Sequence, residues 1–155
     1  MRKYLLHVLI ISFVFLLAPT AQVASYAGGL EDAKEKVRKY PDEAWAHGLL
    51  GVAYYETGKH EEAIESYKQA LRIDPDYAKA HNNLGVAYGE LGKYKEAIES
   101  HKQALRIDPD DASTHYNLGY AYLGLNDRGT ALDQYQILKE LDTELANRLF
   151  NLINE

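Results

Sequence analysis

The sequence predicts an all-α solenoid made of three helix pairs with one flanking helix at each end. Three observations lead to this fold class. The nine residues KQALRIDPD occur unchanged at 68–76 and 102–110, a period of 34 residues that is typical of stacked two-helix units. Apolar residues recur at helical spacing within each period. Glycine and proline interrupt that spacing at regular intervals.

The N-terminal 27 residues have the layout of a secretory signal. A basic pair near the start precedes the apolar run 8–18, and the small residues Ser25 and Ala27 lie just before Gly28. The apolar run is shorter than the ~20 residues that a membrane-spanning helix needs. We therefore expect cleavage after Ala27, with cleavage after Ala24 as the alternative, and an exported protein that is periplasmic or secreted.

The composition is that of an ordinary globular domain, with 46% hydrophobic and 26% charged residues. The chain has no cysteine, which excludes disulfides, thiolate catalysis, cysteine metal sites and a lipid-anchored N-terminus. Removal of residues 1–27 would leave 15 basic and 23 acidic residues, a net charge of −8. An acidic chain without a basic cluster is not expected to bind nucleic acid or to insert into a membrane after signal removal.

The first element of the predicted mature chain is a flanking helix within 28–43. Leu30, Ala33 and Val37 follow helical spacing, and Pro41 stops the helix. We interpret this helix as the second helix of a unit whose first helix is missing.

Three units follow, at 44–77, 78–111 and 112–145, each with two amphipathic helices. A residue that tolerates left-handed backbone separates the helices of a unit. These residues are Gly58, Gly92 and Asn126. Pro75 and Pro109 end the second helices, and Asp76 and either Asp110 or Asp111 are expected to cap the helix that follows. The small residues Gly85 and Ala97 indicate close helix approach.

The last element is a capping helix at 146–155. The third unit has Thr143 where its predecessors have proline, so its end is less clearly marked. Apolar residues beyond it recur at helical spacing, from Leu145 and Leu149 to Ile153. We expect this helix to cover the open end of the stack.

The aligned positions resemble the tetratricopeptide repeat (TPR) family over about 102 residues. The matching residues are Leu50, Gly51, Tyr54, Ala63, Tyr67, Ala70 and Pro75 in the first unit, Leu84, Gly85, Tyr88, Ala97, Ala104 and Pro109 in the second, and Leu118, Gly119, Tyr122, Ala131 and Tyr135 in the third. This resemblance implies a right-handed α-solenoid whose first helices line a concave peptide-binding groove.

The resemblance also implies which side chains face the groove. They form an aromatic and amide-rich set with one lysine, which suits a peptide segment with apolar anchors. The predicted groove residues are Trp45, Tyr55, Lys79, Asn82, Asn83, Tyr116, Asn117 and Tyr120.

Two features of the groove positions narrow the expected ligand. Family members that clamp a terminal carboxylate have lysine and asparagine one turn apart, and no unit of this chain has that pair, so chaperone-tail binding is not expected. Asn83 and Asn117 match an asparagine ladder that holds a peptide backbone in other members. Alternatively, these two asparagines bond only within the stack, and Tyr55, Tyr116 and Tyr120 are packing residues at unit boundaries.

Candidate catalytic and metal-binding residues have simpler interpretations. His47, His81 and His115 recur one per unit, but stacked units separate them by roughly 10 Å, too far for one metal ion. The glutamates of the second helices, such as Glu61, Glu65 and Glu99, lie beside lysines as on a solvated face. Ser66, Ser100 and Ser113 have no histidine and acid partners. We expect no enzyme activity, cofactor or metal.

The sequence thus predicts an exported adaptor that holds a peptide segment of a partner protein. Two alternatives stay open: a self-assembling scaffold, with end helices docked on neighbouring copies, and an accessory non-catalytic subunit of an envelope enzyme complex.

Overall fold

A computed structural model describes residues 29–155, which fold into eight helices without a strand. The signal predicted for residues 1–27 lies outside the described residues. The described chain opens in α1, at 29–39, and three helix pairs with short connections and one final helix follow. They are α2 (Ala44–Glu56), α3 (His60–Ile73), α4 (Ala78–Glu90), α5 (Tyr94–Ile107), α6 (Ala112–Gly124), α7 (Arg128–Leu141) and α8 (Thr143–Asn154). The predicted all-α repeat fold is confirmed.

The turn inside each pair has the predicted left-handed residue. The backbone φ angle is 74° at Gly58, 68° at Gly92 and 60° at Asn126. Asparagine is the non-glycine residue that adopts this conformation most readily. The same turn therefore closes all three pairs, although only two of them contain glycine.

The core is a row of four small clusters rather than one centre. Each cluster lies where a second helix packs on the next first helix, or where α1 or α8 closes an end. Their buried members are Leu30, Ala33 and Ala53; Ala63, Ile64, Tyr67, Leu84 and Ala87; Ala97, Ile98, Leu118 and Ala121; and Ala131, Leu138, Ala146, Leu149 and Ile153. Tyr54, Tyr88 and Tyr122 each pack against two successive clusters. Burial thus links nearest neighbours, as in a solenoid.

Close helix approach explains the glycines at the centre of the first helices. A Cβ atom added to Gly85 would lie 2.6 Å from Cε1 of His101, and one added to Gly51 would collide with the ring of Tyr67. In the third pair, a Cβ on Gly119 would lie 2.6 Å from Cδ2 of Leu149 in α8. The predicted role of Gly85 is confirmed.

The three histidines that recur once per unit each contact the loop that precedes their own helix. Nε2 of His47, His81 and His115 lies 2.8, 2.9 and 2.8 Å from the carbonyl oxygens of Pro41, Pro75 and Pro109. Nδ1 of His115 also lies 2.8 Å from Oε1 of Gln134. These histidines join helix to loop.

The second helices carry the predicted charged face. Lys68 and Lys102 pair with Glu65 and Glu99 at 3.2 and 3.7 Å, and all four side chains are exposed. Exposed pairs of this kind contribute about 0–1 kcal/mol each. The hydroxyls of Ser66 and Ser100 donate to carbonyls of their own helices, both at 2.9 Å.

Of the two predicted caps at the unit junctions, one is wrong and one is confirmed. Asp76 does not cap α4: the N-cap is Tyr77, without a side-chain bond, because Asp76 instead pairs with Arg106 of the next unit at 3.1 Å. Asp111 does cap α6, accepting from the Ser113 amide at 3.2 Å.

The capping helix begins at Thr143, before the predicted boundary at residue 146. Asp142 ends α7 and also caps α8, because its Oδ1 accepts from the amides of Glu144 and Leu145 at 2.9 and 3.0 Å. Without a proline, one residue replaces the longer loop of the earlier units.

Within residues 29–155, none of the helices combines the length and apolar character needed to span a bilayer.

Candidate functional site

The exposed sides of α2, α4 and α6 form one surface, which we call the groove face. It contains three neighbouring pockets that share lining residues. The first groove pocket, about 210 Å³, is lined by Trp45, Leu49, Tyr77, Lys79 and Asn83 among others. The middle groove pocket, about 190 Å³, is lined by Val52, Tyr55, Glu56, Tyr67, Asn83 and Val86. The third groove pocket, about 400 Å³, is lined by Tyr55, Gly89, His101, Tyr116, Asn117, Tyr120 and Arg148 among others.

The predicted groove residues distribute over these pockets with one exception. Trp45 and Lys79 line the first, Asn83 lines the first and the middle, and Tyr55 lines the middle and the third. Tyr116, Asn117 and Tyr120 all line the third. Asn82 lines none of the three. The groove face is therefore a continuous row of small depressions.

Two apolar side chains are exposed to solvent at the end of the row nearest the N-terminus. Trp45 and Leu49, one turn apart on α2, are 43% and 40% exposed. Tyr40 supports Trp45, with ring centroids 5.2 Å apart. Lys79, beside them, has no carboxylate oxygen within 4 Å among residues 29–155. This end offers an apolar anchor next to a free positive charge.

The asparagines of the groove face are not equivalent. Nδ2 of Asn117 donates to Oδ1 of Asn82 at 3.1 Å, which ties α6 to α4. The interpretation of bonding within the stack therefore holds for one hydrogen of Asn117, while its oxygen and second N–H stay available. Asn83 lies between the first and middle pockets beside Tyr67. Burial raises the pKa of the Tyr67 phenol, which keeps it neutral.

Tyr55 bridges the first two units across the groove face. Its hydroxyl donates to Glu90 at 3.2 Å, and its ring meets His60 edge to face with centroids 5.2 Å apart. Burial, followed by the nearby Glu90 carboxylate, raises the pKa of Tyr55. This contact fixes one wall shared by the middle and third pockets.

Sequence reasoning missed two residues that shape the third groove pocket. His101 is only 2% exposed, and its Nδ1 has no hydrogen-bond partner among the described residues. Burial lowers its pKa to about 4, so the ring is neutral at physiological pH. A signal existed, because the matching residue one unit earlier is Tyr67 and a polar residue at a core position is unusual.

The second missed residue is Arg148, which the sequence analysis placed on a helix that only covers the open end. Its guanidinium lies 4.9 Å from the centre of the Tyr116 ring, a cation–π distance. No carboxylate oxygen of residues 29–155 lies within 4 Å of it. Asp142 alone connects α7 to α8, the helix that carries Arg148.

Comparison with protein-family models gives a match to the TPR repeat at residues 51–92 and 88–126. Comparison with curated protein sequences gives no match.

Solved structures with the same fold are similar to most of the described chain. A thermophilic TPR protein of Thermus thermophilus has 27% identity and a TM-score of 0.75, and the match covers 87% of this chain and 76% of that one. MamA protein has 25% identity and a TM-score of 0.70, covering 79% and 67%. The first TPR of Spaghetti (RPAP3), bound to HSP90 peptide SRMEEVD, has 25% identity and a TM-score of 0.67, covering 71% and 92%.

Proposed function

We propose, on the premise that this chain is built from TPR repeats, that it is a non-catalytic module that holds a peptide segment of a partner protein. The segment lies along the groove face, in a concave groove of the kind that the repeats imply. The observation that carries this proposal is the row of three adjoining pockets whose walls are aromatic, aliphatic and amide side chains.

The chemistry of the row suits a peptide. Trp45 at one end and Tyr120 at the other are 43% and 50% exposed, which makes them accessible anchors. Aromatic residues contribute much of the binding energy at protein interfaces. Asn83 and Asn117 lie between these anchors, and an amide can accept from and donate to a peptide backbone at once.

The solved relatives support binding of a peptide but not a particular one. A domain 25% identical to this chain has a peptide bound. The lysine and asparagine pair of the carboxylate clamp is missing here: the corresponding pairs are Gly48 with Val52, Asn82 with Val86, and Tyr116 with Tyr120. We therefore expect a partner segment of different chemistry from a chaperone tail.

Export is part of the proposal. The signal-like N-terminus supports a role outside the cytoplasm. Mass spectrometry of the protein purified from its native cell should give an N-terminus at Gly28. An N-terminus at Ser25 would mean that cleavage occurs after Ala24. A cytoplasmic protein that retains residues 1–27 would contradict export.

The groove is tested by crosslinking pull-down from the native envelope. Replacing both Asn83 and Asn117 by alanine, or Tyr116 alone, should lower partner capture about tenfold or more. The matched control replaces Gln69 and Gln103 by alanine, which removes two amides from the second helices. Unchanged capture by both groove variants would overturn the proposal.

A second candidate function, self-assembly, is favoured by one observation at the C-terminal end. Leu132 is 38% exposed, whereas the matching Ile64 and Ile98 are 5% and 6% exposed beneath the next first helix. Helix α8 does not cover this position as another unit would. A second copy docked on Leu132 would bury it.

A further inference from the structure

The third groove pocket is an enlarged copy of the middle one. Its lining residues Val86, Gly89, Glu90, His101, Asn117 and Tyr120 are, one 34-residue period later, the counterparts of Val52, Tyr55, Glu56, Tyr67, Asn83 and Val86. The volume rises from about 190 to about 400 Å³. Two of these differences remove bulk, because Gly89 replaces Tyr55 and His101 replaces Tyr67. The second unit therefore leaves space that tyrosine rings occupy in the first.

Packing does not require a glycine at position 89. A Cβ atom added there would have no neighbour of residues 29–155 within 4 Å, whereas one added to Gly85, one turn earlier, would lie 2.6 Å from the His101 ring. Glycine inside a helix costs about 1 kcal/mol relative to alanine. Gly89 thus lowers stability without aiding any contact between helices.

His101 also lowers the stability of the fold. Its buried Nδ1 lacks a hydrogen-bond partner in the described part of the chain, and an unpaired buried polar atom is unfavourable. Two neighbouring positions of one pocket therefore carry residues that are less stabilising than their own counterparts one unit earlier. Such local conflicts are expected where a protein keeps a site open for binding.

The residues that line the third groove pocket indicate which kind of side chain it can receive. Tyr55, Tyr116 and Tyr120 surround the opening above a floor of small residues such as Ala97 and Ala121. Flat aromatic walls favour an aromatic ring, which they contact edge to face or offset. The rim also carries Arg148, held over Tyr116 and free of any carboxylate partner among residues 29–155.

We propose that the third groove pocket receives an aromatic side chain of the partner segment, and that an acidic residue beside it pairs with Arg148. This inference rests on the proposed peptide-binding function and names the chemistry of its main subsite. Gly89 sets the specificity, because its missing side chain is what leaves room for the ring.

The test uses a phage-displayed library of random linear peptides selected on the full mature chain. Peptides that bind should share an aromatic residue next to aspartate or glutamate. The variant Gly89→Tyr introduces the residue that the first unit has at this position, and it should lower the affinity of the selected peptides about tenfold or more. Gly129→Tyr, which adds the same side chain at an exposed position of α7 away from the groove face, is the matched control and should retain binding. Arg148→Gln should weaken acidic peptides more than their amide analogues.

The outcomes separate this inference from the proposed function. Peptides that lose affinity through Trp45→Ala or Asn83→Ala, but not through Gly89→Tyr, would leave groove binding intact and overturn the aromatic subsite. Peptides enriched without an aromatic residue would also overturn it. If selected peptides bound all of these variants equally, both the subsite and the groove would be wrong.

Discussion

Glycines of α4 occupy two physically different positions one turn apart. Gly85 faces the His101 ring at the joint of the helix pair, whereas Gly89 faces open space in the third groove pocket. Only the first position needs the absence of a side chain for packing. The two residues therefore respond oppositely to the same substitution.

We predict that Gly85→Ala lowers the free energy of unfolding by about 1–3 kcal/mol, because the added methyl group overpacks the joint. Gly89→Ala should raise it by about 1 kcal/mol through helix propensity. Urea denaturation of both variants measures the difference. Equal effects of the two substitutions would contradict the assignment of Gly89 to an open pocket.

His101 makes stability depend on pH in a defined window. The unfolded imidazole has its ordinary pKa near 6.5, while burial lowers the folded pKa to about 4, with Asp111 opposing the shift. Below pH 6.5 the unfolded chain takes up the proton first, so stability falls as pH falls and this contribution levels off below about 4. The loss amounts to about 3 kcal/mol.

The variant His101→Tyr, which copies Tyr67, should remove this component. Urea denaturation of both proteins between pH 7 and pH 4 isolates it, because the carboxylates common to both contribute equally. Parallel stability curves for wild type and variant would show that His101 is not buried in its neutral form.

At the scale of helices, the N-terminal caps of α4 and α6 differ, although the segments before them are near copies in sequence. Asp111 caps α6 through the Ser113 amide and also accepts from the Thr114 hydroxyl. The neighbouring Asp110 is exposed and is not the N-cap. At α4 the equivalent N-cap is Tyr77, which makes no side-chain capping bond. Its ring packs beside Gly48, where an added Cβ atom would lie 3.1 Å from Cε1 of Tyr77.

Asp111→Ala should therefore cost about 1 kcal/mol of stability, the usual value of an N-cap. Asp110→Ala should change stability by less than about 0.5 kcal/mol, as exposed substitutions do. Thermal unfolding of the pair compares them at equal loss of charge. A larger effect for Asp110 would mean that the cap lies elsewhere.

At the scale of the whole molecule, the two ends of the stack are closed unequally. The outer face of α1 is charged, with Lys34 and Arg38 paired to Glu31 and Glu35. The C-terminal end leaves Leu132 and Phe150 exposed, the latter beside Tyr135 with ring centroids 5.1 Å apart. Association of copies is therefore expected at the C-terminal end.

Light scattering of the mature chain should show a mass that rises with concentration, and Leu132→Glu should restore the monomer. Ile137→Glu is the matched control, because Ile137 is equally an exposed apolar residue of α7 but occupies the position that is polar in the earlier units, at Gln69 and Gln103. A wild-type monomer at every concentration would exclude self-assembly through this end.

The sequence by itself determined the elements and their repetition. Helical periodicity, left-handed turn residues and prolines are local signals, because each acts within a few residues of the backbone. They were sufficient for three helix pairs and for the turn at Asn126. The expected groove positions came from the resemblance to the TPR family, carried over position by position.

Tertiary structure alone decided the details that depend on contact between distant residues. The bond from Asn117 to Asn82, the size of the third groove pocket and the position of Arg148 over Tyr116 are of this kind. Local periodicity does not measure the space between two helices. The connection shortened to Asp142 alone starts α8 at Thr143, before the repeat register would start it. The groove face therefore acquires Arg148 from a helix whose sequence indicated only a cap.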